Sequence, residues 1–168
     1  MLDFFQQCVT SQFEAALCML KEAIEQCPPE HWDGRIAQLT FRQVAYHTLF
    51  FVDVYLSPSE QGFELRELHQ RGGDEREPIP CPGLSQVETL AYLTICREKL
   101  LATLAAESPE TLQGPSGFAH RRFSRGELHL YNLRHVQHHT GQLSAHLRRV
   151  DERFRGRDSL TWIGQGWR

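Results

Sequence analysis

Leu130-Tyr131-Asn132-Leu133-Arg134-His135-Val136-Gln137-His138-His139-Thr140-Gly141-Gln142-Leu143 is the stretch on which the reading of this chain turns. It continues from Ser124-Arg125-Gly126-Glu127, which fits a capping box: the hydroxyl caps the third amide and the acidic side chain reaches back. The pattern predicts a long helix from about Arg125 to Arg153. At 100° per residue, His135 and His139 lie about 40° apart around the axis and one turn apart along it, so their rings can converge on one point. That spacing lets a helix offer two imidazole nitrogens to one divalent metal. His138 is rotated about 60° to the other side of His135. His146 shares the His135/His139 face but sits about 10 Å beyond His139, too far for the same ion.

The same punctuation recurs upstream. Thr40-Phe41-Arg42-Gln43 and Ser85-Gln86-Val87-Glu88 are also capping boxes, each followed by apolar residues at helical spacing. A further helical face opens the chain with Leu2, Phe5, Val9, Phe13, Ala16, Leu17, Leu20 and Ile24. Four helices follow: Leu2 to Gln26, Phe41 to Leu56, Gln86 to Glu107, and Arg125 to Arg153. No alternating Val/Ile/Thr pattern points to a sheet. The expected fold is therefore all-α, a four-helix bundle. Residues 57–84, broken by Pro58, Gly62, Gly72, Gly73, Pro78, Pro80, Pro82 and Gly83, read as a long crossover between helices two and three, charged and mostly solvated. Residues 1–155 make up the bundle. Residues 156–168, with Trp162 and Trp167, read as a tail that packs on it or on a partner chain, which favours a homodimer.

Composition narrows the function. The chain has 168 residues, 40% apolar and 23% charged, which excludes disorder and a polytopic membrane protein. Nine histidines, four of them between His135 and His146, accompany a net charge of −3, so no basic nucleic-acid surface is expected. No apolar run reaches the roughly 18 residues of a membrane span, and the first residues lack a signal-peptide pattern. Cys8, Cys18, Cys27, Cys81 and Cys96 are odd in number and scattered, which suits free thiols in a reducing cytoplasm. His-Glu-x-x-His, Glu-x-x-His, Gly-x-Gly-x-x-Gly, the Walker sequence and Gly-x-Ser-x-Gly are all missing. Zincin, ferritin-like, nucleotide and nucleophile-elbow chemistries lose their support with them.

Two histidines make a weak metal site, and His47 is the candidate third. It lies mid-helix in Val44-Ala45-Tyr46-His47-Thr48-Leu49-Phe50-Phe51, among apolar and aromatic neighbours. Alone, a histidine there is more often a hydrogen-bonded core residue. With an inward pair on helix four it completes a three-histidine face. Tyr46, His138 and Gln142 flank these residues and can orient a substrate or a ligand's second nitrogen. Glu127 reads as a cap, Asp53 as a surface charge, and His31, His69, His120 and His129 as ordinary surface or loop residues.

The segment His135-x-x-x-His139-Thr140-Gly141-Gln142-Leu143, with His47 following Leu39-Thr40-Phe41-Arg42-Gln43-Val44-Ala45-Tyr46, resembles the DinB-like (DinB/YfiT) superfamily of metal-dependent enzymes. The resemblance spans about residues 1–155; the family frequently has Arg where this chain has Thr140. It implies a four-helix bundle holding a divalent ion, zinc, nickel or iron, on His47, His135 and His139, with no catalytic acid or base assigned. Relatives of this kind include thiol-dependent isomerases and S-transferases. The resemblance therefore implies a thiol-dependent S-transferase or isomerase acting on small electrophilic molecules, with a low-molecular-weight thiol as cosubstrate. A metal-dependent hydrolase, a non-catalytic stress-response protein that binds a metal or small ligand, and an interaction module with structural histidines are the alternatives.

Overall fold

The computed structural model describes residues 2–71, 84–154 and 161–168. Among these, the helices are α1 (Leu2–Gln26), α2 (Phe41–Leu56), α3 (Gln86–Ala106), the short α4 (Pro109–Gln113) and α5 (Arg125–Val150). The fold is all-α. Its sheet content is one two-residue hairpin, β1 (Arg35–Ile36) against β2 (Leu39–Thr40).

Thr40, Ser85 and Ser124 each accept the backbone N–H three residues on, and Gln43, Glu88 and Glu127 reach back to the cap. The capping boxes thus start α2, α3 and α5 where the sequence places them. A fourth box, Ser108 with Thr111, opens α4 inside the stretch expected to be a plain link. The last helix stops at Val150 instead of Arg153: Asp151 is extended, and a 3-10 turn follows over Glu152–Phe154.

α1 packs on α3 and α5, and α2 packs on the same two helices. Side chains fix the directions. Gln6 at the start of α1 donates to the Leu104 carbonyl near the end of α3, and Arg97 pairs with Glu14, so α1 and α3 are antiparallel. Cys96 donates to the Leu49 carbonyl and Lys99 reaches Asp53, so α2 and α3 run parallel. Consecutive parallel helices oblige the chain between them to return the length of a helix, about 24 Å for the 16 residues of α2. Residues 72–83 of that return, with Cys81, lie outside the described residues. Cys8, Cys18, Cys27 and Cys96 are free thiols.

The core is built from Phe13, Leu17, Leu20 and Ile24 of α1, Phe41, Leu49 and Leu56 of α2, Tyr92, Leu93, Leu100 and Leu104 of α3, and Leu143 and Leu147 of α5. Full burial of each such aliphatic side chain stabilises the fold by about 1.5–3 kcal/mol. At the C-terminal end of the chain, Ile163 is buried against Ala15 and Cys18, Gly166 N–H donates to the Ser11 carbonyl, and the Arg97 guanidinium covers the Trp167 ring. Trp162 remains 75% exposed. No described helix is long and apolar enough to cross a membrane.

Polar groups in the interior correct three expectations. Asp53 is fully buried and does not lie on the surface. Six residues after His47, it is turned about 240° around α2 and faces α3, where it accepts from Lys99, Tyr92 and Arg66. His69 is also buried: its Nδ1 accepts the Arg66 N–H and its Nε2 meets the Tyr92 hydroxyl at 2.7 Å. His129 is fully buried on α5 and pairs with Glu107, which also accepts from Arg125.

Arg125 has a second task. Its Nη1 donates to the Tyr55 and Ser57 carbonyls and its Nη2 to the Leu56 carbonyl. These are acceptors that the end of α2 leaves without helical partners, at the negative pole of its dipole. One buried side chain therefore locks the C-terminus of α2 to the N-terminus of α5. Removing it strips Glu107 of its cation and frees three carbonyls. Arg125→Ala is expected to destabilise the fold by about 3 kcal/mol, measured by urea unfolding.

Candidate metal centre

The lock on α2 and α5 sets which residues meet further along. The two helices run antiparallel, as the Asn132 to Val52 carbonyl bond also shows. His47, mid-way along α2, therefore lies opposite the His135–His139 turn of α5. His47 sits edge-on to Phe51, with centroids 5.1 Å apart, while Val44, Leu49 and Val52 point into the core.

All three imidazoles are half-buried and face one another. The Nε2 atoms of His135 and His47 are 3.1 Å apart. The His139 ring lies 4.5 Å, centroid to centroid, from both His47 and His135. One nitrogen from each ring falls within 4.8 Å of the others, the single such three-residue group among the described residues. Two nitrogens held tetrahedrally at about 2.0–2.1 Å from one ion stand about 3.3 Å apart. The observed 3.1 Å between His135 and His47 matches that span. The donor set is three neutral nitrogens without a carboxylate, which suits zinc, nickel or iron.

Gln142 fixes the third ring. Its Oε1 lies 2.8 Å from His139 Nδ1, and an amide oxygen can only accept, so the His139 proton is on Nδ1 and the Nε2 lone pair is left for the cluster. The Gln142 amide nitrogen in turn donates to Nε2 of the exposed His138. Of the three flanking candidates, Gln142 thus touches a candidate ligand, and His138 meets the His139 ring directly, centroids 4.9 Å apart, as well as through Gln142. Tyr46 is buried beside Phe50 and Tyr92. His146 is buried against Phe41, where a Cβ on Gly34 would come within 2.9 Å of its Nε2. It is a packing residue.

Protonation is suppressed throughout the cluster. Burial, then the neighbouring His139 and His138, pushes His47 down to about 4. Burial, then His139, His47 and His138, and last the Arg121 guanidinium, pushes His135 down to about 3. His139 is lowered by burial and His138, against the opposing hydrogen bond to Gln142. A ring that stays neutral keeps its lone pair for a metal.

The cluster opens beside a groove of about 730 Å³ along α5, lined by Tyr131, Leu133, Arg134, His135, Gln137 and His138. Phe51 and Tyr131 form part of an aromatic collar that the sequence reading missed. Their spacing was a usable signal: Phe51 is one turn after His47, and Tyr131 one turn before His135. Arg121, on the loop before α5, gave no such signal.

An all-α chain with three converging neutral imidazoles between two antiparallel helices could hold a divalent metal by its chemistry. The chain belongs to the DinB superfamily: the model of that family matches residues 12–143, which include all three histidines. No curated protein and no solved structure matches it.

Two outcomes test the centre. Gln142→Leu removes the acceptor that fixes the His139 tautomer and is expected to weaken zinc affinity by about 10–100-fold in a competition titration. The second is pH dependence without metal. The unfolded chain takes up protons on His47 and His135 near 6.5, the folded chain only near 4 and 3. Stability present above pH 6.5 is therefore lost as pH falls from 6.5 towards 4, and Tm by scanning calorimetry falls over that window.

Proposed function

We propose that this protein is a metal-dependent enzyme in which His47, His135 and His139 hold a divalent ion, zinc, nickel or iron. It acts as a thiol-dependent S-transferase or isomerase on small electrophilic molecules, with a low-molecular-weight thiol as cosubstrate. The observation that carries the reading is the convergence of one nitrogen from each of three imidazoles, on rings that burial keeps neutral, at the side of an open groove. Family membership supports it.

A divalent ion on three neutral ligands supplies Lewis-acid chemistry, lowering the pKa of a water or thiol and polarising a carbonyl. The rest falls to the chain's own side chains. Gln142 keeps the His139 proton on the outer nitrogen. Phe51 covers His47 and His135 with its ring edge and keeps water from that side. The groove admits a small molecule along α5, where the Tyr131 hydroxyl and the His138 ring offer hydrogen bonds at its wall.

The test begins with protein purified without a histidine tag. About one equivalent of metal is expected in the wild type, with loss in His47→Ala and His139→Ala, measured by elemental analysis. Turnover of a chlorinated aromatic electrophile is expected to require an added low-molecular-weight thiol. Thiol-independent turnover would instead identify a hydrolase. Stoichiometric metal with no turnover would identify a binding protein. A metal-free wild type with no affinity for zinc, nickel or iron would sink the proposal.

A further inference from the structure

Among the described residues, Arg121 is a partly buried cation without a counter-charge. The other buried or partly buried arginines are matched: Arg125 with Glu107, Arg97 with Glu14, and Arg42 with Asp33. Arg121 makes no ion pair among the described residues. Its Nη2 donates to the Tyr55 hydroxyl at 3.0 Å and its Nη1 to the His120 carbonyl at 3.2 Å. Its Nε is buried with no acceptor. Nη1 and Nη2 carry four N–H donors between them and two are engaged, so two are left for a further acceptor.

Its position gives that charge a use. The guanidinium lies 5.0 Å from the Tyr131 ring centre and 5.7 Å from that of Tyr55. Tyr131 and His135 line the same groove, one helical turn apart, and Arg121, which lines a separate pocket of the loop before α5, meets that groove at the Tyr131 ring. On the other side, Tyr55 stacks with Phe51 at 5.3 Å, and Phe51 meets His135 edge-on at 5.6 Å. A continuous aromatic wall therefore runs from the guanidinium to the imidazoles. The exposed Arg134 adds positive charge on the groove, and none of the lining residues is acidic.

The loop that carries Arg121 is rigid. Gly117 has a φ of +86°, and a Cβ there would stand 2.3 Å from the Pro58 carbonyl oxygen, so only glycine fits. Arg121 N–H donates to the Phe118 carbonyl, and the Ser116 hydroxyl to that of Arg121. A fork fixed in advance binds a planar anion at lower entropic cost.

We propose that Arg121, framed by Tyr55 and Tyr131, binds a carboxylate on the molecule that occupies the His135 groove, so that the substrate is a small carboxylate-bearing compound. A guanidinium and a carboxylate match geometrically as paired N–H donors and oxygen acceptors. This rests on the reading that the three histidines mark the reactive end of the groove.

Benzoate is the probe. Wild type, Arg121→Gln and Arg121→Lys are titrated by calorimetry, each metal-free and zinc-loaded, with zinc content and thermal unfolding recorded alongside. Arg121→Gln is expected to weaken benzoate binding at least tenfold in both forms at unchanged zinc content, and Arg121→Lys, which keeps the charge but loses the fork, to fall between. In the metal-free wild type, benzoate is expected to shift the His135 ring signals in the NMR spectrum, and in Arg121→Gln it is not. Equal affinity in wild type and Arg121→Gln would overturn the proposal, as would an unchanged His135 shift in the variant or the lack of saturable benzoate binding. If Arg121→Gln fails to fold, Arg121→Lys decides by the same comparison. Failure of zinc binding in the wild type strikes the metal reading alone, because the metal-free titration still decides the anion site.

Discussion

The interaction on which the rest depends is the grip of Arg125 on the end of α2. Three carbonyls and one carboxylate converge on a guanidinium that is 6% exposed. It fixes the axial register of α2 against α5. A slip of one residue moves a helix by about 1.5 Å and turns its side chains by 100°. Either displacement would carry His47 out of reach of His135, whose ring nitrogens now stand 3.1 Å apart. An N-terminal residue of α5 thus governs a meeting of side chains almost three turns further along it.

Charge is distributed with the same consistency. Asp53 is enclosed by Lys99, Arg66 and Tyr92, and Glu107 by Arg125 and His129. Each of these buried carboxylates is matched, as a low-dielectric interior requires. Around the three imidazoles no carboxylate contributes to their proton affinities; the influences are burial, other rings and Arg121. The groove side of α5 is accordingly neutral to positive, while the α2–α3 face holds the acidic group. Burial is the main influence that keeps the rings unprotonated, and Arg121 has no carboxylate partner among the described residues.

What the sequence disclosed divides along physical lines. The helix starts were legible because a capping box is a local contract between residues three apart, and Thr40, Ser85 and Ser124 each honour it. The His135–His139 pair was legible because one helix sets both positions. His47 needed a tertiary relation, and only the apolar setting of its helix hinted at it. Asp53, His69 and His129 were misread for the converse reason: their partners Lys99, Tyr92 and Glu107 come from other elements, and a charge looks exposed until its counter-charge is found. Arg121 sits in a loop with no periodicity, so its stacking on Tyr131 left no trace in the pattern.

A purely structural role for the three rings fits this arrangement poorly. Two facing imidazoles satisfy each other with one hydrogen bond, so His47 and His135 alone would close that account. His139 adds a third ring whose proton Gln142 draws outward, leaving a lone pair aimed at nitrogens that have little to donate. His135 Nδ1 is likewise buried without a partner. Each orphaned polar atom costs about 1–3 kcal/mol, and apolar side chains of similar volume would avoid that cost. An arrangement that is worse than a hydrocarbon core for stability, yet held in register by Arg125 and in tautomer by Gln142, is one in which the inward lone pairs themselves are the useful feature. A divalent cation could take one nitrogen from each of the three rings at once, and that is what this arrangement lends to the proposed centre.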